Sequence, residues 1–164
     1  MIEADIEKRV VEKFKELFAE NGIENVQVSG SFDISDIKAT QEAGKTSYLV
    51  VKVDPRSYGS PTLPETTLDI GFNLIVRADV DFNGKTYLDL CDILMTQMET
   101  WQKCMNEAHD FFTIPHFEMT GFVLNKGTTG IDATATTFQY NHTFTVYGVV
   151  QNFDGYTPNH YDNN

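Results

Sequence analysis

The stretch Leu68–Val80, LDIGFNLIVRADV, decides how the rest of the chain reads. Leu68, Ile70, Phe72, Leu74, Val76, Ala78 and Val80 occupy every second position, and Asp69, Gly71, Asn73, Arg77 and Asp79 fill most of the gaps. Successive side chains of a strand point to opposite faces, so the alternation predicts a long strand with one buried face. At about 3.3 Å per residue it would extend about 43 Å, longer than the common strand.

Asn83-Gly84 follows as a tight-turn signal, and then YLDLCDILMTQMETW opens a helical run over Tyr87–Met105. Tyr87, Cys91, Leu94, Met98, Trp101 and Met105 form one stripe, which Leu88, Leu90 and Met95 broaden. Burying such a face contributes on the order of ten kcal/mol, so this helix is expected to pack across the sheet. A second amphipathic helix is read over Ile2–Asn21, from the apolar spacing of Ile2, Ile6, Val10, Phe14, Leu17 and Phe18. Gly22 is placed to end it in a left-handed conformation, and Glu3, Asp5 and Glu7 suit its positive start.

Four more strands are read: a short one at Val26 and Val28, Tyr48–Val53, Phe117–Asn125 and Phe138–Val150. The last two look like a long hairpin joined by Lys126–Thr137. In the final strand Phe138, Tyr140, His142, Phe144 and Val146 share a face, while Gln139, Asn141, Thr143 and Thr145 show the other. Gly30–Lys45 and the proline-bearing Asp54–Glu65 read as long loops, candidates for partner contact. The fold expected is α+β: a mostly antiparallel sheet of about five strands, order α-β-β-β-α-β-β, with two helices on one face. Residues 1–151 are expected to form one domain and residues 152–164 a polar tail.

Composition supports a folded chain: 164 residues, 41% hydrophobic, with twelve Phe and seven Tyr. The net charge of -12 opposes unassisted binding to nucleic acid or anionic lipid. No apolar run suits a membrane span, and the start of the sequence lacks a signal-peptide pattern, so an intracellular setting is expected. Cys91 and Cys104 cannot pair on one straight helix and are expected to be reduced thiols.

No catalytic or metal motif stands out. His109, His116, His142 and His160 fall in no HExxH or HxxxH pattern. His142, in phase with Phe144, is expected to be a hydrogen-bonded core residue. His109, Asp110 and His116 suit helix-end or loop contacts, with convergence around Pro115 the alternative reading. Asp33, Asp36, Asp54 and Glu65 are too irregularly spaced for a calcium loop and are expected to be solvated. Neither cofactor nor metal is expected.

In element order the chain resembles the tail terminator and tail-completion proteins of long-tailed bacteriophages. The likeness runs over residues 1 to 150 and is carried by IEKRVVEKFKELF, by DIGFNLIVRADV feeding YLDLCDILMTQMETW, and by FQYNHTFTVYGVV. It implies a non-enzymatic virion protein, assembled in the host bacterial cytoplasm, that forms a homo-oligomeric, hexameric ring. Such a ring would cap the tail tube protein and join it to the head-tail connector, with DNA present only in passage and no membrane contact. The ring surfaces would come from the sheet edge and from Ser31–Lys45, Arg56–Pro64 and Lys126–Thr137. Candidate subunit or partner contacts are Asp33, Asp36, Arg56, Tyr58, Asp69, Asn73, Arg77, Asp79 and Lys126. A small-molecule enzyme using His142 or the His109–His116 segment is the alternative, as is another connector or a baseplate adaptor.

Overall fold

The computed structural model describes residues 1–31, 47–58, 65–77, 79–132 and 136–151. In it LDIGFNLIVR lies within a thirteen-residue strand, β4 (Glu65–Arg77). Leu68, Ile70, Leu74 and Val76 are fully buried, and Asp69 lies on the opposite, exposed side. The strand therefore begins three residues earlier than the alternation suggests and ends at Arg77, beyond which Asp79 is in a turn.

Among the described residues seven strands form one sheet. They are β1 (Gln27–Gly30), β2 (Tyr48–Val53), β3 (Ser57–Tyr58), β4, β5 (Phe117–Leu124), β6 (Thr128–Asp132) and β7 (Thr137–Val150). Along the sheet the order is β1-β2-β4-β7-β5, with β3 also paired to β4 and β6 to β7. The β1–β2 pair is parallel and the other pairings are antiparallel. The fold is α+β, as the order of elements predicts. Two short strands were not foreseen, β3 in the second loop and β6 in the expected hairpin connection.

The centre of the sheet is the β4–β7 ladder, in register from Glu65↔Val149 to Arg77↔Thr137. On the far side of β7, β5 and then β6 run as one interrupted strand. The interruption at Asn125–Gly127 is bridged by His142, whose Nε2 lies 2.5 Å from the Asn125 carbonyl oxygen.

Among the described residues three helices, α1 (Ile2–Glu20), α2 (Tyr87–Lys103) and α3 (Met105–Phe112), cover one face. The single helix expected over Tyr87–Met105 breaks at Cys104, which has φ -113° and ψ 88°, and the short α3 follows. Aromatic contacts lock these layers together. Phe14 of α1 meets Phe72 with centroids 5.5 Å apart, and Trp101 of α2 lies 5.7 Å from Phe144. Phe112 of α3 touches both Phe122 and Phe144. Leu90, Leu94, Met98 and Trp101 carry the buried stripe of α2, whereas Leu88 and Met105, expected on it, are exposed.

Local signals account for the helix boundaries. Gly22 adopts φ 72°, while the Ile23 amide bonds back to Phe18 O at 2.8 Å and Ile23 returns to the core. Asn83 and Gly84, at φ 60° and 81°, form the tight turn between Phe82 and Lys85. Thr86 and Asp89 then cap α2 reciprocally.

Candidate interaction site on the open sheet face

Because side chains alternate along a strand, the helix-covered face of β4 and β7 leaves a second face of opposite composition. It carries Thr67, Asp69, Gly71, Asn73 and Ile75 from β4, and Gln139, Asn141, Thr143, Thr145 and Tyr147 from β7. No helix among the described residues packs there. A shallow hollow of about 430 Å³ lies on this face, bordered by Val50, Lys52, Asp69, Asn73, Asn141 and Thr143.

The floor of the hollow is made of small, uncharged groups. Gly71 faces Thr143 so closely that a Cβ would sit 3.3 Å from its methyl group. Asn73 pairs across the ladder with Asn141, and its buried Oδ1 has no hydrogen-bond partner among the described residues. Charge lies at the border. Lys52 pairs with Asp54 at 3.3 Å, and Asp69 Oδ1 accepts a 2.8 Å hydrogen bond from Thr145 Oγ1. Thr145 Oγ1 in turn accepts one from Asn125 Nδ2 at 3.1 Å.

The residues singled out in the sequence separate into groups. Asp69 and Asn73 share the hollow. Arg77 and Asp79 lie beyond it at the end of β4, joined by two 3.0 Å hydrogen bonds. Arg56 is held by α1: its amide donates to Glu3 Oε2 at 2.9 Å, and its Nε lies 3.6 Å from the same oxygen. Tyr58 on β3 and Lys126 after β5 are exposed. Asp33 and Asp36 lie outside the described residues.

Two buried carboxylates escaped the sequence reading, which assigned them to the helix dipole. Glu3 and Glu7 are 4% and 2% exposed. Glu7 accepts from Ser31 Oγ at 2.8 Å and from the Val53 amide at 3.3 Å. A Cβ on Gly30 would collide with its carboxylate. The i, i+4 pair thus fastens α1 to the chain at Ser31, Val53 and Arg56.

Among the described residues the histidines stand apart from one another, and His160 lies outside them. His142 is 3% exposed on the helix-covered face. Its Nε2 faces a carbonyl, which can only accept, so that nitrogen carries the proton, and Nδ1 accepts from Tyr140 Oη at 2.8 Å. Burial holds its pKa below the usual value, partly offset by the Asn125 carbonyl. His109 lies 3.5 Å from Asp110 and 3.8 Å from Glu118 at the surface, while His116 Nδ1 lies 3.2 Å from Gln151 O. Burial raises the pKa of the Cys91 thiol, which disfavours a nucleophilic thiolate. Among the described residues no group of three or more His, Cys, Asp or Glu side chains could hold a metal ion.

No protein-family model matches the chain, and no curated protein does. Among solved structures, a chain from "Virion of native gene transfer agent (GTA) particle" is similar at a TM-score of 0.41 and 10% identity. The match covers 63% of this chain and 69% of that one. So distant a likeness transfers no role.

Proposed function

We propose that this chain is a non-enzymatic virion assembly protein of tail-terminator type. It works by self-association into a ring that caps a tail tube and joins it to the head connector. The observation that carries the self-association is the one-sided sheet: the long β4–β7 ladder is buried under helices on one face and lined with Gly, Asn and Thr on the other. A face whose ionised groups stand at the border can be covered at its centre while those groups keep their water at the rim. A lumen wall facing DNA has no such reason to exclude charge from its centre. We therefore assign Asp69 and Asn73 to a subunit contact. The capping role rests on the family resemblance of the element order.

The test is negative-stain electron microscopy of the purified chain, alone and with tail tubes. Closed rings, and tubes capped at one end, are expected. A strict monomer at high concentration, with tubes left bare, contradicts the proposal.

A further inference from the structure

Between β5 and β6 the residues Asn125–Gly127 belong to neither strand, and the imidazole of His142 lies against them. Its Nε2–H donates to the Asn125 carbonyl, and a Cβ on Gly127 would collide with the ring. Phe72 of β4 stacks on the ring with centroids 6.3 Å apart, and Tyr140 Oη donates to Nδ1 at 2.8 Å. The site is built for a neutral imidazole.

A second proton would go to Nδ1 and turn that acceptor into a donor. The Tyr140 hydroxyl would have to reverse and accept, which strands its own hydrogen, and a full charge would stand where the residue is 3% exposed. The influences on the ring are its burial and the Asn125 carbonyl, with no carboxylate among them. Its neighbour on β4 is the apolar Phe72, which Phe14 of α1 covers. Glu99 and Cys91 of α2 act on the Tyr140 hydroxyl instead. Lys52 and Asp69 stand on the opposite face of the sheet, and Lys126 at the junction is exposed and of like charge.

A charged imidazole must therefore reach water, and one side of β7 resists this far less than the other. Towards β4, β7 is paired in unbroken register from Glu65↔Val149 to Arg77↔Thr137. Towards β6 the ladder has five pairs, Thr128, Thr129 and Gly130 are exposed, and a Cβ on Gly130 would meet nothing within 4 Å. A groove of about 780 Å³ runs beside Thr129 and Gly130, so little packing holds them down. Lifting Gly127 and β6 uncovers His142 without breaking the β4–β7 ladder.

We propose that His142 is an acid-sensitive latch: when its imidazole takes up a proton, Gly127 and β6 lift from β7 while the β4–β7 ladder stays formed. The latch belongs to the single chain and is independent of self-association.

Residue-resolved amide exchange of the full chain, corrected for the intrinsic rate at each pH and repeated in low urea, tests this. The β6 amides bonded to β7 should exchange through a local opening that urea barely promotes, while amides of the β4–β7 ladder exchange only by urea-sensitive global unfolding. The β6 opening constant should rise by up to about tenfold per pH unit below 6.5 and level off at the midpoint of the His142 ring, followed by NMR. The H142Q chain should lose that rise. A β6 opening that ignores pH, that is as urea-sensitive as the ladder, or that keeps its acid response in H142Q overturns the proposal. If H142Q does not fold, wild type decides alone, and levelling away from the ring midpoint overturns the latch.

Discussion

Gly148 leaves no room for a side chain: a Cβ there would lie 2.6 Å from the Glu118 carbonyl oxygen and closer still to the Phe117 ring. Backbone cannot yield as a flexible side chain does, so G148A is expected to cost about 1–3 kcal/mol by overpacking, read as a lower urea midpoint. His142 makes a different prediction. Its folded pKa lies below the ordinary 6.5, so the unfolded chain binds the proton more readily. The stability contributed by neutral His142 is complete above pH 6.5 and is lost as pH falls through the lowered folded value. Urea midpoints should therefore decline from about pH 7.5 to 5.5, and an NMR titration should place the imidazole below 6.5. A midpoint above 6.5 would contradict the burial that holds the value down. The phase of His142 with Phe144 made its burial legible in the sequence. Its partner, the carbonyl of Asn125, was not, because nothing local marks where β5 breaks.

Among the elements, α1 shows how far periodicity reaches. Its apolar spacing identified Ile6, Val10, Phe14 and Phe18 as core, and all four are buried. The same spacing says nothing about Glu3 and Glu7, whose acceptors and donors come from residues far along the chain. E7A should strand the Ser31 hydroxyl and the Val53 amide and cost about 1–3 kcal/mol by chemical denaturation, whereas a solvated helix acid would change little. For α2, T86A removes the side chain that accepts from the Asp89 amide and should cost about 1 kcal/mol. The capping residues were local and readable. The break at Cys104 was not, since the apolar stripe continues to Met105 while the backbone turns. β6 was equally hidden: Thr128–Asp132 pairs only because β7 runs long enough to offer a partner.

At the scale of the molecule, the LDIGFNLIVRADV alternation was enough to predict an α+β fold with helices on one side, because a face of that apolarity has to be covered. It also marked the opposite face as polar. The hollow itself needed the register, which sets Gly71 against Thr143 and Asn73 against Asn141. Arg77 and Asp79, read as part of that face, turn out to belong to the far end, bound to each other. In the proposed function the open face joins copies of the chain. Native mass spectrometry of wild type and of an N141R variant tests it most directly, since Asn141 is exposed and a charge there leaves the helix-covered core untouched. A closed oligomer is expected for wild type and a folded monomer for N141R. A wild type that stays monomeric, or an oligomer indifferent to N141R, would contradict it.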